Sequence, residues 1–302
     1  MLETVAVSSS SGSTANPWCV AVFAYNEERN IISCLDSLHS AAPMRKLEVF
    51  VLANGCTDRT EQIVRDYAHD NLSINLICIK VPDKANAWNH YVHKVAKESD
   101  VHFFIDGDVK ACPESFIRLH DTIIQHPNAH AAAAFPTTGR SLKKWRRMML
   151  EEAWLAGNLY ALRGTFINRI RLNGIRLPLG WIIEDGLVGA LAKWDLDPTG
   201  SWDSSRIIAC PEAGFSFRSM VWYRLDDWHR YWRRRVRYSI GFYQNKMIRL
   251  FIKTQGIKGM PETVQDLYQK TQEHFSVRKD LNIVFDWVAL NRIRKDKDNS
   301  SI

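Results

Sequence analysis

The 302 residues are enough for one large domain or a domain with an appendage, and a hydrophobic share of 46% can bury a full core, which excludes wholesale disorder. A formal charge of +7 favours anionic partners (nucleotides, phospholipid headgroups or nucleic acid) without choosing among them. The six cysteines form no C-x-x-C pair and sit mostly in apolar contexts, which argues against zinc or a disulfide framework and for buried free thiols in a reducing compartment.

Residues 1–16 are rich in Ser, Thr, Ala and Gly, with no basic stretch ahead of an apolar one, and read as a disordered tail. No apolar run approaches the roughly 20 residues of a membrane span. The expectation is a cytoplasmic protein, with peripheral attachment to a membrane left open. Trp18–Tyr25 reads as a buried strand. Asn26 then stands as a helix N-cap with Glu27 and Glu28 in the first turn, ahead of Ile31, Leu35 and Leu38 at helical spacing. Val49–Leu52 is a second strand, followed by an Asn54-Gly55 turn and a helix that Asp58 can cap. Ile74–Val81 is a third strand, Lys84–Glu98 a helix, and Val101–Ile105 a fourth strand. This alternation predicts an α/β fold with a mostly parallel sheet flanked by helices.

Beyond Asp108 the pattern predicts a helix opened by Pro113, a short strand over Ala131–Phe135, and a basic helix over Ser141–Leu155. Strand-like pieces follow within Asn158–Arg163 and Ile207–Phe217, then a long amphipathic helix over Leu225–Ile252 and two more helices in Thr263–Arg294. The closing KDKDNSSI reads as a solvated tail. One domain over 17–251 with a helical C-terminal extension over 252–302 is the expected organisation.

Asp106-Gly107-Asp108 directly follows the fourth strand. In doubly wound sheets ligands bind beyond the carboxyl ends of strands, and two carboxylates there suit a hard cation, Mn²⁺ or Mg²⁺, shared with a diphosphate. A solvated acidic turn is the plain alternative, and the position at a strand end favours the site. In the long helix, Trp228, Trp232, Val236 and Ile240 recur at i+4 as an apolar stripe, with Arg230, Arg233, Arg234 and Arg237 on another face. That arginine face can clamp a diphosphate or rest on anionic lipid, the plain reading being a core-packed helix with solvated arginines. Trp145, Trp154 and Trp181 are candidates for stacking on sugar faces, against the commoner buried tryptophan.

Seven segments in order then resemble the family-2 glycosyltransferases: VAVFAYNEERNI, VLANGCTDRT, PDKANAWNH, IDGDV, GNLYALRG, IIEDG and RRVRY. The resemblance runs from about Pro17 to Tyr243 and implies the GT-A fold, a Rossmann-like sheet, and inverting, single-displacement transfer of a sugar from a nucleotide-sugar. It places Ala24, Tyr25, Asn26, Glu27, Asn54, Lys84, Asn86, Asp106, Arg234 and Arg237 at the donor. Asp108 and Asp106 fall at the metal, with His229 as a further candidate ligand, and Asp185 becomes the candidate base with Glu184 beside it. Asn89 is a secondary donor candidate. RRVRY carries Tyr238 where the family has Trp. Asn54 stands where many relatives carry an Asp that reads uracil; an amide both donates and accepts, so a UDP-sugar stays favoured while another base becomes readable. The acceptor is unknown, and a lipid-linked one at a membrane surface stays open. A nucleotidyltransferase is the weaker alternative, since FAYNEERN has acidic residues and no Gly where a triphosphate loop needs Gly and basic ones. A nucleic-acid module built on the arginine helix lacks any recognised motif. Intact Asp106, Asp108 and Asp185 argue against an inactive sugar-binding relative.

Overall fold

The first apolar run forms β1 (Trp18–Ala24), buried at every residue, as expected of a strand hydrogen-bonded on both edges and covered on both faces. The computed structural model describes residues 17–67, 72–139, 141–218 and 225–299; the tail expected over 1–16 lies outside them. After β1 come α1 (Ile31–Ala41), β2 (Leu47–Asn54), α2 (Thr60–Asp66), β3 (Leu72–Ile79), α3 (Lys84–His90) and β4 (Val101–Asp106). β3, β2, β1 and β4 pair in parallel, in that order, and the register sets Phe23 at the end of β1 opposite Asp106 at the end of β4.

The second half is mixed. β5 (Val109–Ala111), α4 (Ser115–Gln125), β6 (Ala131–Pro136), α5 (Leu142–Glu152), β7 (Leu159–Arg163), α6 (Gly164–Leu172), α7 (Glu184–Lys193) and β8 (Ile207–Phe217) follow in the chain. β7 runs antiparallel between β4 and β6, β8 pairs in parallel with β6, and β5 closes the edge antiparallel to β8, giving the order β3-β2-β1-β4-β7-β6-β8-β5. Phe104 of β4 stacks on Tyr160 of β7 with ring centres 4.8 Å apart, so the parallel and mixed halves share one core. The expected α/β architecture with a mostly parallel, helix-flanked sheet is the observed one.

Several local expectations are corrected. Asn26 is not a helix cap: it has a positive φ of 56°, and its side-chain oxygen accepts from the Thr57 N–H at 2.8 Å. Helix α1 starts five residues later, at Ile31. The helix expected over Lys84–Glu98 stops as an α-helix at His90 and continues as a π-helical turn over Tyr91–Val95. α6 was not anticipated, although Phe166, Ile167 and Ile170 form its buried face. Of the cysteines, all free, Cys19, Cys34 and Cys210 are buried but Cys78 is exposed.

The C-terminal part consists of α8 (Leu225–Gln255), α9 (Val264–Lys270) and α10 (Ile283–Asn299). The segment read as a solvated tail is helical through 299. The α8 stripe is core only in its later part: Val236 is fully buried, whereas Trp228 and Trp232 are 58% and 44% exposed. Trp232 leaves the main core and leans on Phe285 of α10 instead, ring centres 5.0 Å apart. No described helix is long and apolar enough to cross a membrane. This division of α8 has a measurable consequence. Ile248→Ala, at a position 1% exposed, is expected to cost about 2–5 kcal/mol, while Trp232→Ala costs well below the ~3–5 kcal/mol of a buried tryptophan. Denaturant melts of the two variants check it; equal losses would return Trp232 to the core.

Candidate active site

The parallel strands end on one edge, and the acidic residues gather there. Gly107 allows the turn after β4 to press against β1: its N–H donates to the Phe23 carbonyl at 2.8 Å, and an added Cβ would meet that same oxygen at 3.1 Å. Asp106 is thereby held at the strand end, half-buried, with the Asn158 amide 3.4 Å from its second oxygen. Asp108, two residues on, is exposed.

Lys84 is the first residue of α3, and Asp83 is its N-cap. One Asp83 oxygen accepts from the Ala85 and Asn86 N–H groups and the other from the Gly180 N–H at 2.7 Å, so the helix start and the segment before α7 are tied to one side chain. Lys84 Nζ lies 2.5 Å from Asp106 Oδ1 and 2.5 Å from Glu184 Oε1. Glu184, buried at the start of α7, is 4% exposed, so an ammonium beside it replaces the water it has lost. Lys84, expected at the donor, here bridges two carboxylates of the site. Asn86 gives its backbone N–H to Asp83, and the Asn89 side chain is committed to both backbone groups of Leu177.

Burial raises the Asp106 carboxyl to about 7, against the opposing pull of Lys84 and with the help of Asp108 and Glu184. Lys84 itself is raised well above the ordinary lysine value because two carboxylates outweigh its burial. The two shifts agree once the sharing is counted: one ammonium serves two carboxylates, so the cation is held firmly and each anion only in part.

Asp185 follows Glu184 but points elsewhere. Its oxygens accept from the Gly157 and Gly186 N–H groups, both at 2.9 Å. Gly157 is required for this approach, since a Cβ there would lie 2.8 Å from Asp185 Oδ2. Burial, then the Glu184 charge, lifts the Asp185 carboxyl to about 7. Asp185 also lines a cavity of about 430 Å³ with Trp154, Trp202 and Asn245. Trp181, in contrast, is buried at 2% exposure, and Trp145 packs on Trp154.

The opening segment faces the same edge. Ala24 is buried at the end of β1, Tyr25 is exposed, and the Glu27 N–H donates to Thr60 Oγ1 at 2.8 Å. Burial raises the Glu27 carboxyl to about 7; Asn30 and the Arg230 charge lower it, and Asp108 raises it, so the start of α8 lies close enough to be felt at β1. Asn54 is buried at the end of β2. Arg234 and Arg237 are exposed on α8, with Arg234 Nε donating to the Tyr238 hydroxyl at 2.7 Å. His229 is exposed near the start of α8, next to Arg230, whose charge reaches Glu27; among the described residues no three His, Cys, Asp or Glu side chains stand as a preformed metal-holding group.

Residues beyond sequence reach brace this arrangement. Gln244 of α8 accepts from the Ile182 N–H at 3.1 Å and donates to the Tyr268 hydroxyl of α9 at 2.8 Å. Leu179 exchanges backbone hydrogen bonds with Glu262 and Val264. No local sequence signal marks Gln244, Tyr268 or Leu179 for this task.

Lys84→Met removes the shared cation and leaves Asp106 and Glu184 unpaired, a loss expected to cost about 3–5 kcal/mol near pH 7.5. The cost should shrink toward pH 5. A carboxyl whose folded pKa is raised contributes stability at low pH and loses it as pH climbs through that value, and Asp106 without Lys84 titrates higher still. Denaturant melts at both pH values decide; a penalty that does not change with pH would mean the ammonium is not neutralising these acids.

Residues 19–178 match the profile of glycosyl transferase family 2. No curated protein matches the sequence. Among solved structures, the fold is similar to the mannosyltransferase PcManGT from Pyrobaculum calidifontis, in complex with GDP-Man and Mn²⁺, at TM-score 0.59 and 18% identity, over 94% of this chain and 76% of that one. It is similar to S. aureus TarS at TM-score 0.55 and 15% identity, over 93% of this chain and 49% of that one, so the chain spans about half of TarS. A third likeness is to glucosyl-3-phosphoglycerate synthase from Mycobacterium tuberculosis, in complex with Mn²⁺, UDP-Glc and phosphoglyceric acid, at TM-score 0.52 and 20% identity, over 81% of this chain and 80% of that one. At such identities the likenesses establish a GT-A fold, and the profile, which covers more than half of the 302 residues, establishes more: the chain belongs to glycosyl transferase family 2, a family of enzymes.

Proposed function

We propose that this enzyme transfers a sugar, with inversion, from a nucleotide-sugar to an acceptor hydroxyl or similar nucleophile, with Mn²⁺ or Mg²⁺ at Asp106 and Asp108 and with Asp185 as general base. The observation that carries the reading is the convergence of Asp106, Lys84, Glu184 and Asp185 at the carboxyl edge of the parallel strands. That edge is where such sheets bind nucleotides.

The donor set fits a hard cation. Asp106 and Asp108 offer only carboxylate oxygens, and no hydrogen bond to the Asp108 carboxylate is made among the described residues. Two protein carboxylates with the remaining positions left to phosphates and water is the usual arrangement for Mg²⁺ and its like. Similar structures hold Mn²⁺ with GDP-Man or with UDP-Glc, which supports the metal and leaves the base of the donor to Asn54. When bound, the cation supplies stabilisation of the negative charge on the departing diphosphate.

The protein's own part is positioning and proton transfer. Ala24, Tyr25, Asn26, Glu27 and Asn54 form the nucleoside side of the cleft, with Asn86 at its margin. Arg234 and Arg237 answer the diphosphate from α8, whose first turns already reach the field of Glu27. Lys84 fixes Asp106 and Glu184 in place. Asp185 takes the acceptor proton as the acceptor oxygen bonds to the anomeric carbon, while the bond from that carbon to the diphosphate oxygen breaks on the opposite face. A carboxyl lifted to about 7 is a far better base than an ordinary aspartate. Glu184 helps to lift it. The soluble, cytoplasmic form expected from the sequence, with attachment to a membrane surface as an option, is the setting we assign.

Thermal-shift panels of UDP- and GDP-linked sugars with and without Mn²⁺ test the donor. A true donor at 100 times its Kd adds about 2.7 kcal/mol, and Asp108→Ala should abolish the metal-dependent part with the fold intact. Unchanged Mn²⁺-dependent binding by that variant would remove Asp108 from the metal site. For the base, Asp185→Asn should keep donor binding and lower nucleotide-sugar turnover, to acceptor or to water, by about 10²–10⁴-fold. In the parent the rate should rise with pH through about 7 as Asp185 loses its proton. Equal turnover by the variant, or a rate flat across that range, excludes Asp185 as the base.

A further inference from the structure

The cavity beside Asp185 runs along one face of α7. Asp185, Gly186, Gly189, Ala190 and Lys193 all line it, the small residues at helical spacing forming its floor. At 1.5 Å per residue, Asp185 and Lys193 stand about 12 Å apart along the helix, so Asp185 marks one end of the cavity and the cations Lys193 and Arg249, with Glu152 also in the wall, mark the other. Its volume of about 430 Å³ suits a ligand of one or two sugar rings.

The basic end is unusual. Lys193 is only 7% exposed. Its ammonium donates to the Glu152 carbonyl at 2.6 Å and stands 5.0 Å from the centre of the Trp202 ring. Arg249 of α8 approaches the same ring, at 5.9 Å, and lines the same cavity. Among the described residues neither cation forms a salt bridge, and a lysine ammonium has three donors to place. Burial pushes the Lys193 ammonium below its ordinary value; the Glu152 charge opposes this and Arg249 adds to it. An oxyanion between the two cations would relieve both the burial and the mutual repulsion. Arg249 also borders a second cavity of about 420 Å³, lined by Lys246, Lys253 and His274, where the basic character continues outward.

We infer that the acceptor of this enzyme carries an oxyanion, phosphate or carboxylate, which Lys193 and Arg249 bind while its hydroxyl meets Asp185. Trp154 and Trp202 supply the walls against which the body of the acceptor lies. The inference rests on the reading of Asp185 as the base. Placed this way, the anion sits at the far end of α7 from the carboxylates, and the charge pattern selects one orientation of the acceptor.

Calorimetric titration of the full chain with glucose 6-phosphate, glucuronate and glucose tests it. At least one charged sugar should bind saturably and glucose at least about tenfold more weakly, a charge-assisted hydrogen bond being worth that much or more. Preference for glucose 6-phosphate identifies phosphate, and preference for glucuronate identifies carboxylate; both support the site. Arg249→Gln, on an exposed residue, and Lys193→Met should each weaken the charged sugar about tenfold. Arg118→Gln, which removes one charge from the exposed face of α4, should not. Glucose binding as tightly as the charged sugars overturns the inference, as does wild-type affinity in Arg249→Gln. The nucleotide–Mn²⁺ panel is read separately. If nucleotide binds normally while Arg249→Gln changes nothing, the anionic acceptor fails and the transferase reading stands. If no nucleotide binds the parent, the transferase reading fails whatever the sugars do.

Discussion

One ammonium holds the active edge together. Lys84 reaches from the start of α3 to Asp106 at the end of β4 and Glu184 at the start of α7, 2.5 Å from each. These three positions come from parts of the chain as much as 100 residues apart, and no hydrogen-bonded sheet register joins all three. The alternative for each carboxylate is burial without a partner, which costs several kcal/mol per ion. The rest of the site follows from that constraint. Asp83 must cap α3 and also hold Gly180 so that Lys84 and Glu184 meet. Gly107 must turn tightly so that Asp106 stays at the strand end. With Asp108 and Asp185 close by, the edge carries more carboxylate than ammonium, a charge balance that an added divalent cation corrects.

Two aspartates on this edge show how surroundings separate residues of one type. Asp106 and Asp185 both titrate high because each has lost much of its water, yet they are committed differently. Asp106 is in contact with a cation and cannot easily take a proton from a substrate. Asp185 is held by two backbone N–H groups and opens on a cavity, so it is fixed in direction but available. The same separation of roles by environment underlies paired carboxylates in many enzymes.

The C-terminal helices belong to this edge as much as the sheet does. Gln244 and Tyr268 hold the segment before Glu184, and Leu179 is fastened to the backbone ahead of α9. Arg249 of α8 enters the wall of the cavity that Asp185 lines. Gly241 makes the closest approach possible, since a Cβ there would collide with Ile183 at 2.3 Å. The shape of the acidic segment is therefore decided by residues that come much later in the chain, on α8 and α9.

The parallel half of the sheet was legible in the residues alone, because short apolar β-branched runs between helical periods have few other ways to bury themselves. So were the places of the carboxylates, since Asp106 and Asp108 end a legible strand and Glu184-Asp185 open a legible helix. Local pattern misled where tertiary contacts overrode it. Asn26 has the look of a cap but is drawn into a positive-φ turn by Thr57 from the next loop. Trp232 has the spacing of a core residue but emerges from the main core and leans on Phe285 of α10. Packing of distant elements is what makes Lys84 serve two acids, gives Asp185 room beside Gly157, and sets a buried Lys193 with Arg249 at the far end of the same cavity. Periodicity reports which face of an element is apolar, whereas charge pairing and cavity lining depend on which distant elements meet, and that is settled only when the sheet and the late helices pack together.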